Sequence, residues 1–192
     1  MDSTLIKYFT SCITLNSIEI ETLKQSFTLK KVPKKTFLLR EGEVCQSEAF
    51  VVKGCLKSYF IDQNGFEVIL TFAVENWWVS DIASFQDQKP SKMFIETLED
   101  CELLLLTPSS KEELLNKLPK LERVFRIMVQ RHLAGYQERL FSNIALSAPE
   151  RYTIFLQKYP DISQRVPQHL IASYLGISPE FLSKIRSKRK IS

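Results

Sequence analysis

Glu180, Ser183, Lys184, Ser187 and Lys188 recur at the three- and four-residue spacing that gathers side chains on one helical face. A carboxylate, hydroxyls and ammonium groups in that arrangement can meet base edges and phosphates, the chemistry by which duplex DNA is read through its major groove. The segment that carries them, Gln168–Ser187, reads QHLIASYLGISPEFLSKIRS and has the pattern of a helix-turn-helix. Ile171 and Leu175 give a first helix its buried stripe, and Leu182 and Ile185 do the same for a second. Ala172 lets the two backbones approach, and Gly176 tolerates the positive φ that the turn requires. Ser178 is placed to cap the second helix, Pro179 suits its first position, and Glu180 complements the positive end of its dipole. The DNA-contacting set expected on this reading is Gln168, His169, Ser178, Pro179, Glu180, Ser183, Lys184, Ser187 and Lys188.

Charge supports the pattern. From Gln164 to Ser192 six basic residues, Arg165, Lys184, Arg186, Lys188, Arg189 and Lys190, stand against one acid, Glu180, a local charge of +5. The whole chain carries only +4, so the preceding residues balance to −1 and positive potential is concentrated at one end, as phosphate binding demands. A capped helical hairpin also occurs in ordinary α-domains. A solvated Lys/Arg tail would account for Lys188–Lys190, but not for the patterned helices before it.

The rest of the chain must position this unit. Its 192 residues fit one large or two small domains, and 44% hydrophobic with 25% charged residues is the balance of a globular chain with a substantial core. No run of about 18 apolar residues suggests a membrane span. The start, MDSTLIKYFTSC, lacks the basic and apolar regions of an export signal, so a cytoplasmic location is expected. Cys12, Cys45, Cys55 and Cys101 have neither CxxC nor Cys/His spacing and read as reduced core thiols rather than disulfides or zinc ligands. An iron–sulfur cluster needs four close thiolates, and only Cys12 lies near the start. His132 and His169 are the only histidines, and neither a Ser/His/Asp pattern nor a Gly-rich phosphate loop marks an enzyme.

A helical lead over Ser3–Phe27 is expected to pack through Leu5, Ile6, Phe9, Ile18, Leu23 and Phe27. Short strands follow at Phe37–Leu39, Ala49–Val52, Leu56–Ile61, Val68–Phe72, Met93–Leu98 and Glu102–Leu106, the rhythm of a β-barrel or jelly roll. Asp62-Gln63-Asn64-Gly65 reads as a hairpin turn in which Asn64 and Gly65 take positive φ. A short helix is expected over Pro108–Leu118, then a long one over Lys120–Ile144. The long helix carries Leu121, Val124, Phe125, Met128, Val129, Leu133, Tyr136 and Leu140 over about half its circumference. That width exceeds what packing on one barrel needs, and Gly135 is read as a place where two backbones meet across a dimer seam. Burial within a single subunit is the competing explanation. Pro149 opens a further helix through Ile154, Phe155 and Leu156, and Pro160 closes it.

A barrel, a long helix and a helix-turn-helix in that order resemble the Crp–Fnr superfamily of bacterial transcription regulators, over nearly the whole chain. The reading helices, Gly42, Gly54 and Gly65 at barrel turns, and the hinge Phe141-Ser142-Asn143-Ile144-Ala145 carry the resemblance. It implies an α+β fold: a jelly-roll-like sensory β-roll over residues 1–118, a dimerisation helix and hinge over 119–145, and a helix-turn-helix domain lacking a full wing over 146–192. It further implies a homodimer on a pseudo-palindromic duplex with half-sites about one turn apart, and RNA polymerase as a partner. Only Arg189–Ser192 follow the reading helix where many relatives add a wing, and Lys188, Arg189 and Lys190 are expected to replace part of its phosphate contacts.

Cyclic-nucleotide members of this family use a cassette F-x-G-E-L followed by an Arg-Ser pair, in which a backbone nest and Arg hold the phosphate and Glu takes the ribose hydroxyl. The matching stretch here is Trp78–Phe85, and the candidate pocket residues are Ser80, Asp81, Ile82, Ala83, Ser91 and Lys92. Ser80 replaces the Gly, Asp81 is shorter than Glu, and Ser91-Lys92 stand where Arg-Ser is expected. Lys89 or Lys92 offers only a point charge in place of the guanidinium fork. The expectation is that cyclic AMP binding is weak or absent and that the β-roll senses something else or is structural, with Trp77 and Trp78 as packing residues. At the base-reading positions, where relatives place Arg, Glu and Arg, this chain has Pro179, Glu180 and Lys184. Glu180 suits a cytosine amino group and Lys184 a guanine, while Pro179 cannot donate. A small-molecule-binding or protein-interaction module with a vestigial helix-turn-helix is the alternative.

Overall fold

The computed structural model describes residues 3–189 and is α+β. Two helices open the chain, α1 (Ser3–Thr10) and α2 (Ser17–Gln25). The break between them falls before Asn16, whose side chain accepts from Glu19 N–H at 3.0 Å while Glu19 returns a bond to Asn16 N–H at 2.7 Å, a capping box. Leu5, Phe9, Leu23 and Phe27 enter the core as their spacing predicts, but Ile18 does not. It sits in the first turn of α2 with its side chain exposed.

Eight strands follow: β1 (Thr28–Val32), β2 (Phe37–Leu39), β3 (Glu48–Lys53), β4 (Leu56–Ile61), β5 (Glu67–Ala73), β6 (Trp78–Val79), β7 (Phe94–Thr97) and β8 (Cys101–Leu106). They form two four-stranded sheets, β1-β8-β3-β6 and β2-β7-β4-β5. Within the first sheet β8 and β3 are largely buried on both faces, which is why Leu103–Leu106 reads as an unbroken apolar run, while β1 is mostly exposed. Val51 and Leu103 point between the sheets with Leu39, Leu56 and Ile95, while Phe50, Leu104 and Leu106 point the other way into a second core with α1. Gly54, at φ +103°, joins β3 to β4 where no side chain fits: a Cβ there would lie 2.5 Å from Cys101 Sγ and 2.8 Å from Asp100 O. At the β4–β5 turn only Gly65 is at positive φ. Asn64 is not, because the Asp62 carboxylate accepts the Asn64 and Phe66 N–H groups, each at 2.9 Å, and fixes the turn by itself.

Between β6 and β7 lies α3 (Ile82–Asp87), and after β8 come α4 (Pro108–Lys117), capped by Thr107, and a 3₁₀ turn at Pro119–Leu121. The long helix α5 (Glu122–Ala145) starts there. Then follow α6 (Ala148–Lys158), α7 (Ile162–Arg165), α8 (Gln168–Leu175) and α9 (Pro179–Arg189). Ser147 and Glu150 cap α6, with Pro149 in its first turn.

The chain divides into two compact units. One comprises the chain up to Phe60 together with Thr71–Gln130; the other comprises Ile61–Leu70 and the chain from Arg131 onward. The wide apolar face read along α5 proves to be two faces. Leu121, Val124, Phe125 and Met128 are buried in the first unit, whereas Val129, Leu133, Tyr136, Leu140 and Ile144 form a separate exposed stripe. Gly135 is not on that stripe. It turns toward α6, where an added Cβ would stand 3.6 Å from Lys158 Nζ, so its neighbour is within its own chain.

Candidate DNA-reading and ligand sites

The second unit builds the candidate reading surface. Leu170, Ile171, Ala172, Tyr174 and Leu175 of α8 are buried, as are Leu182 and Ile185 of α9. Tyr174 joins Phe155 and Tyr159 in an aromatic trio with ring centroids 5.0–6.0 Å apart. Gly176, at φ +65°, closes α8 with its N–H on Ser173 O, and Ile177 N–H reaches Ala172 O, both at 3.1 Å. The space beside Gly176 is open, so conformation and not close approach requires glycine there. Ser178 Oγ accepts the Phe181 N–H at 3.2 Å and starts α9 at Pro179.

With Leu182 and Ile185 turned inward, Pro179, Glu180, Ser183, Lys184, Ser187 and Lys188 are all exposed, and so is Phe181, which the sequence pattern did not single out. The Glu180 carboxyl is held below the usual carboxylate range by its own backbone N–H and by the Ser178 hydroxyl, so it stays anionic at the helix start. Ser187 Oγ donates to Ser183 O at 3.0 Å and keeps only acceptor capacity for an outside partner. His169 is exposed; Gln168 is half-buried, and its Oε1 is enclosed without a hydrogen-bond donor. Lys190 lies outside the described residues.

A set of contacts missed in the sequence ties α8 to the start of β5, within the second unit. Ser173 Oγ accepts the Ile69 N–H at 3.1 Å and donates to Glu67 O at 2.6 Å. The Arg139 guanidinium of α5 donates to Ile69 O and Tyr174 O, each at 2.9 Å, and to Leu70 O, while lying 4.1 Å from the Tyr174 ring centroid. The one visible sign was a serine set among the apolar residues of α8.

In the β-roll, a cavity of about 260 Å³ opens between the sheets, walled by Leu38, Leu39, Cys45, Ala49, Val79 and Ile95, with Glu43, Gln46 and Ser47 as its polar neighbours. Burial pushes the Cys45 thiol up, so it faces this space as a neutral group. None of Ser80, Asp81, Ile82, Ala83, Ser91 and Lys92 lines it. Ile82 and Ala83 are exposed on α3. Asp81 and Ser91, both buried, are bonded to each other: Ser91 Oγ donates to Asp81 Oδ2 at 2.7 Å. Asp81 Oδ1 accepts the Ser84 N–H at 3.1 Å, which makes it the cap of α3. Ser91 is pinned further by its N–H on Glu43 O and by Gly42 N–H on its own carbonyl, both at 2.8 Å.

The residue at the cassette's arginine position is therefore a serine spent on the cassette's own acid. Lys92 is exposed, and Lys89 lies 3.5 Å from Asp87 at the surface. At this cassette the Asp81 carboxyl is already bonded to Ser91 and Ser84, and the nearby Lys89 and Lys92 lie at the surface. These residues do not fit a cyclic nucleotide.

Known proteins share this build. Residues 29–117 match the cyclic nucleotide-binding domain, the module that the two sheets and α3 make up. Over 184 residues the chain is 29% identical to the fumarate and nitrate reduction regulatory protein of Vibrio cholerae, covering 90% of this chain and 73% of that relative. In fold it is similar to the c-di-GMP responsive global regulator CLP of Xanthomonas campestris, with a TM-score of 0.72, 16% identity and 92% of each chain covered. It is equally similar to FixK2 of Bradyrhizobium japonicum, with a TM-score of 0.73 and 20% identity over 84% of this chain and 83% of that one. A cyclic nucleotide-binding fold followed by a helix-turn-helix is the build of a transcription regulator, not of an enzyme. Over most of its length the chain is similar to transcription regulators of the Crp–Fnr type. Among the described residues no helix is long and apolar enough to cross a membrane.

Proposed function

We propose that this protein is a homodimeric, sequence-specific DNA-binding transcription regulator whose β-roll does not respond to cyclic nucleotides. The observation that carries the reading is α9: Leu182 and Ile185 anchor one side, and Glu180, Ser183, Lys184, Ser187 and Lys188 crowd the side that faces solvent. The local charge of +5 supplies the phosphate attraction that such a helix needs. The homodimer rests on the exposed stripe of α5, and it calls for a pseudo-palindromic operator. Contact with RNA polymerase belongs to the same reading.

Selection of bound sequences from random duplex DNA tests the proposal and yields an operator for finer measurements. On it, Lys184→Ala is expected to relax preference at one base position and cost about 1–3 kcal/mol, while Lys188→Ala weakens binding to all sequences alike and flattens the salt dependence. Equal loss of specificity in both variants would remove the division between base reading and phosphate anchoring. A protein that binds no duplex at low salt would be a sensor or interaction module instead.

The ligand side has its own test. Calorimetric titration with cyclic AMP and cyclic GMP should show no micromolar binding. Micromolar affinity that disappears in Asp81→Ala would mean that the Asp81–Ser91 pair opens to admit the nucleotide.

A further inference from the structure

We propose that Phe181 reads the C5-methyl group of a thymine in each half-site of the operator. The inference rests on the DNA-binding reading above and adds a base preference that its polar residues do not supply. Phe181 is the third residue of α9 and is 46% exposed, more than any other large apolar side chain among the described residues of α6–α9. Its backbone is fixed by the bond from its N–H to Ser178 Oγ, so the ring is held in the first turn of the helix. In a helix-turn-helix the N-terminal residues of the second helix enter deepest into the major groove.

Lys184 and Lys188 follow three and seven residues later and share a strip of α9 with the ring. A ring flanked by two ammonium groups suits a surface that approaches phosphates, and an exposed aromatic there has no role in the protein's own core. The chemistry then narrows the partner. Phenylalanine has no donor or acceptor for a base edge, and the thymine methyl is the one apolar group that a base presents in the major groove. Insertion of an apolar wedge between base steps is a minor-groove device and does not suit a reading helix. Glu180 and Lys184 remain available for the neighbouring polar edges, so the three side chains together would specify adjacent positions.

Burying one methyl is worth about 0.8 kcal/mol, which is about fourfold in affinity. Two half-sites make it about fifteenfold. The test uses the full chain and the operator obtained by selection, with each thymine replaced in turn by deoxyuridine, which lacks only the methyl. Wild-type protein should lose about fourfold on replacement at one position in one half-site and about fifteenfold in both. Phe181→Ala should bind the thymine and deoxyuridine duplexes equally, and Phe181→Leu, which keeps an apolar contact, should retain the discrimination. Circular dichroism of both variants confirms that α9 is intact. If wild-type protein binds its operator but tolerates every deoxyuridine within twofold, or if Phe181→Ala discriminates as well as wild type, the inference is overturned while the regulator reading stands. If no duplex is bound at all, both fall.

Discussion

Replacing Leu133 and Leu140 together with glutamate is expected to leave a folded monomer that has lost a hundredfold or more of its affinity for a palindromic operator. Val129, Leu133, Tyr136, Leu140 and Ile144 succeed one another at intervals of four, three, four and four residues, which aligns them along one side of α5. The neighbouring side is already occupied: Val124, Phe125 and Met128 are buried, and Gly135 faces Lys158. An exposed apolar row about four turns long is what a second copy of the same helix would cover. Glutamate keeps helix propensity high, so the change acts on the seam and not on the helix. Sedimentation velocity reports the oligomeric state. Linking two reading helices through one dimer typically gains 10²–10⁴ in affinity without a new contact, so the variant should bind a palindrome no better than an isolated half-site. A dimer that survives both substitutions, or a palindrome still favoured by the variant, places the seam elsewhere.

What the sequence revealed and what it hid divide along physical lines. The reading unit was legible because capping, turn conformation and helical burial are local: Ser178, Gly176 and the pair Leu182 and Ile185 act on neighbours within four residues. The β-roll was legible from short apolar runs and the Asp62–Gly65 turn, although the carboxylate of Asp62 rather than a positive φ at Asn64 organises that turn. The α5 face was legible in its width, but periodicity counts apolar residues without telling a buried stripe from the exposed one beside it. Contacts made across long separations left almost no trace. Arg139 meets carbonyls 69 and 70 residues away, and Ser173 meets a strand 104 residues away. The cassette lies between these cases. Its departures from the family pattern were visible residue by residue, but the bond that joins Asp81 to Ser91 needed the turn between them.

Truncating Trp78 to alanine is expected to cost about 3–5 kcal/mol, whereas Trp78→Phe should cost about 1 kcal/mol or less. The indole sits at the centre of a ring cluster, with centroids of Tyr8, Phe9, Phe27, Phe50 and Phe125 between 5.4 and 6.3 Å away, mostly edge to face. Those rings come from α1, the link between α2 and β1, β3 and the first turn of α5, so a cavity here withdraws support from four segments at once. Alanine leaves a void that so many converging elements cannot all collapse into. Phenylalanine keeps most of the ring contacts and removes a liability as well. The Trp78 indole N–H is buried without an acceptor among the described residues, and an unsatisfied buried donor typically costs about 1–3 kcal/mol. Loss of the indole's second ring and relief of that donor therefore oppose each other. Denaturant unfolding of the full chain measures both variants, and a Trp78→Phe protein as unstable as Trp78→Ala would mean that the N–H contributes through a contact and is not a burden. The same cluster fixes the root of α5, because Phe125 and Met128 pack in that core directly before the exposed stripe begins at Val129. The alanine variant should accordingly dimerise more weakly even though Trp78 lies outside the seam, and the phenylalanine variant should dimerise as wild type does.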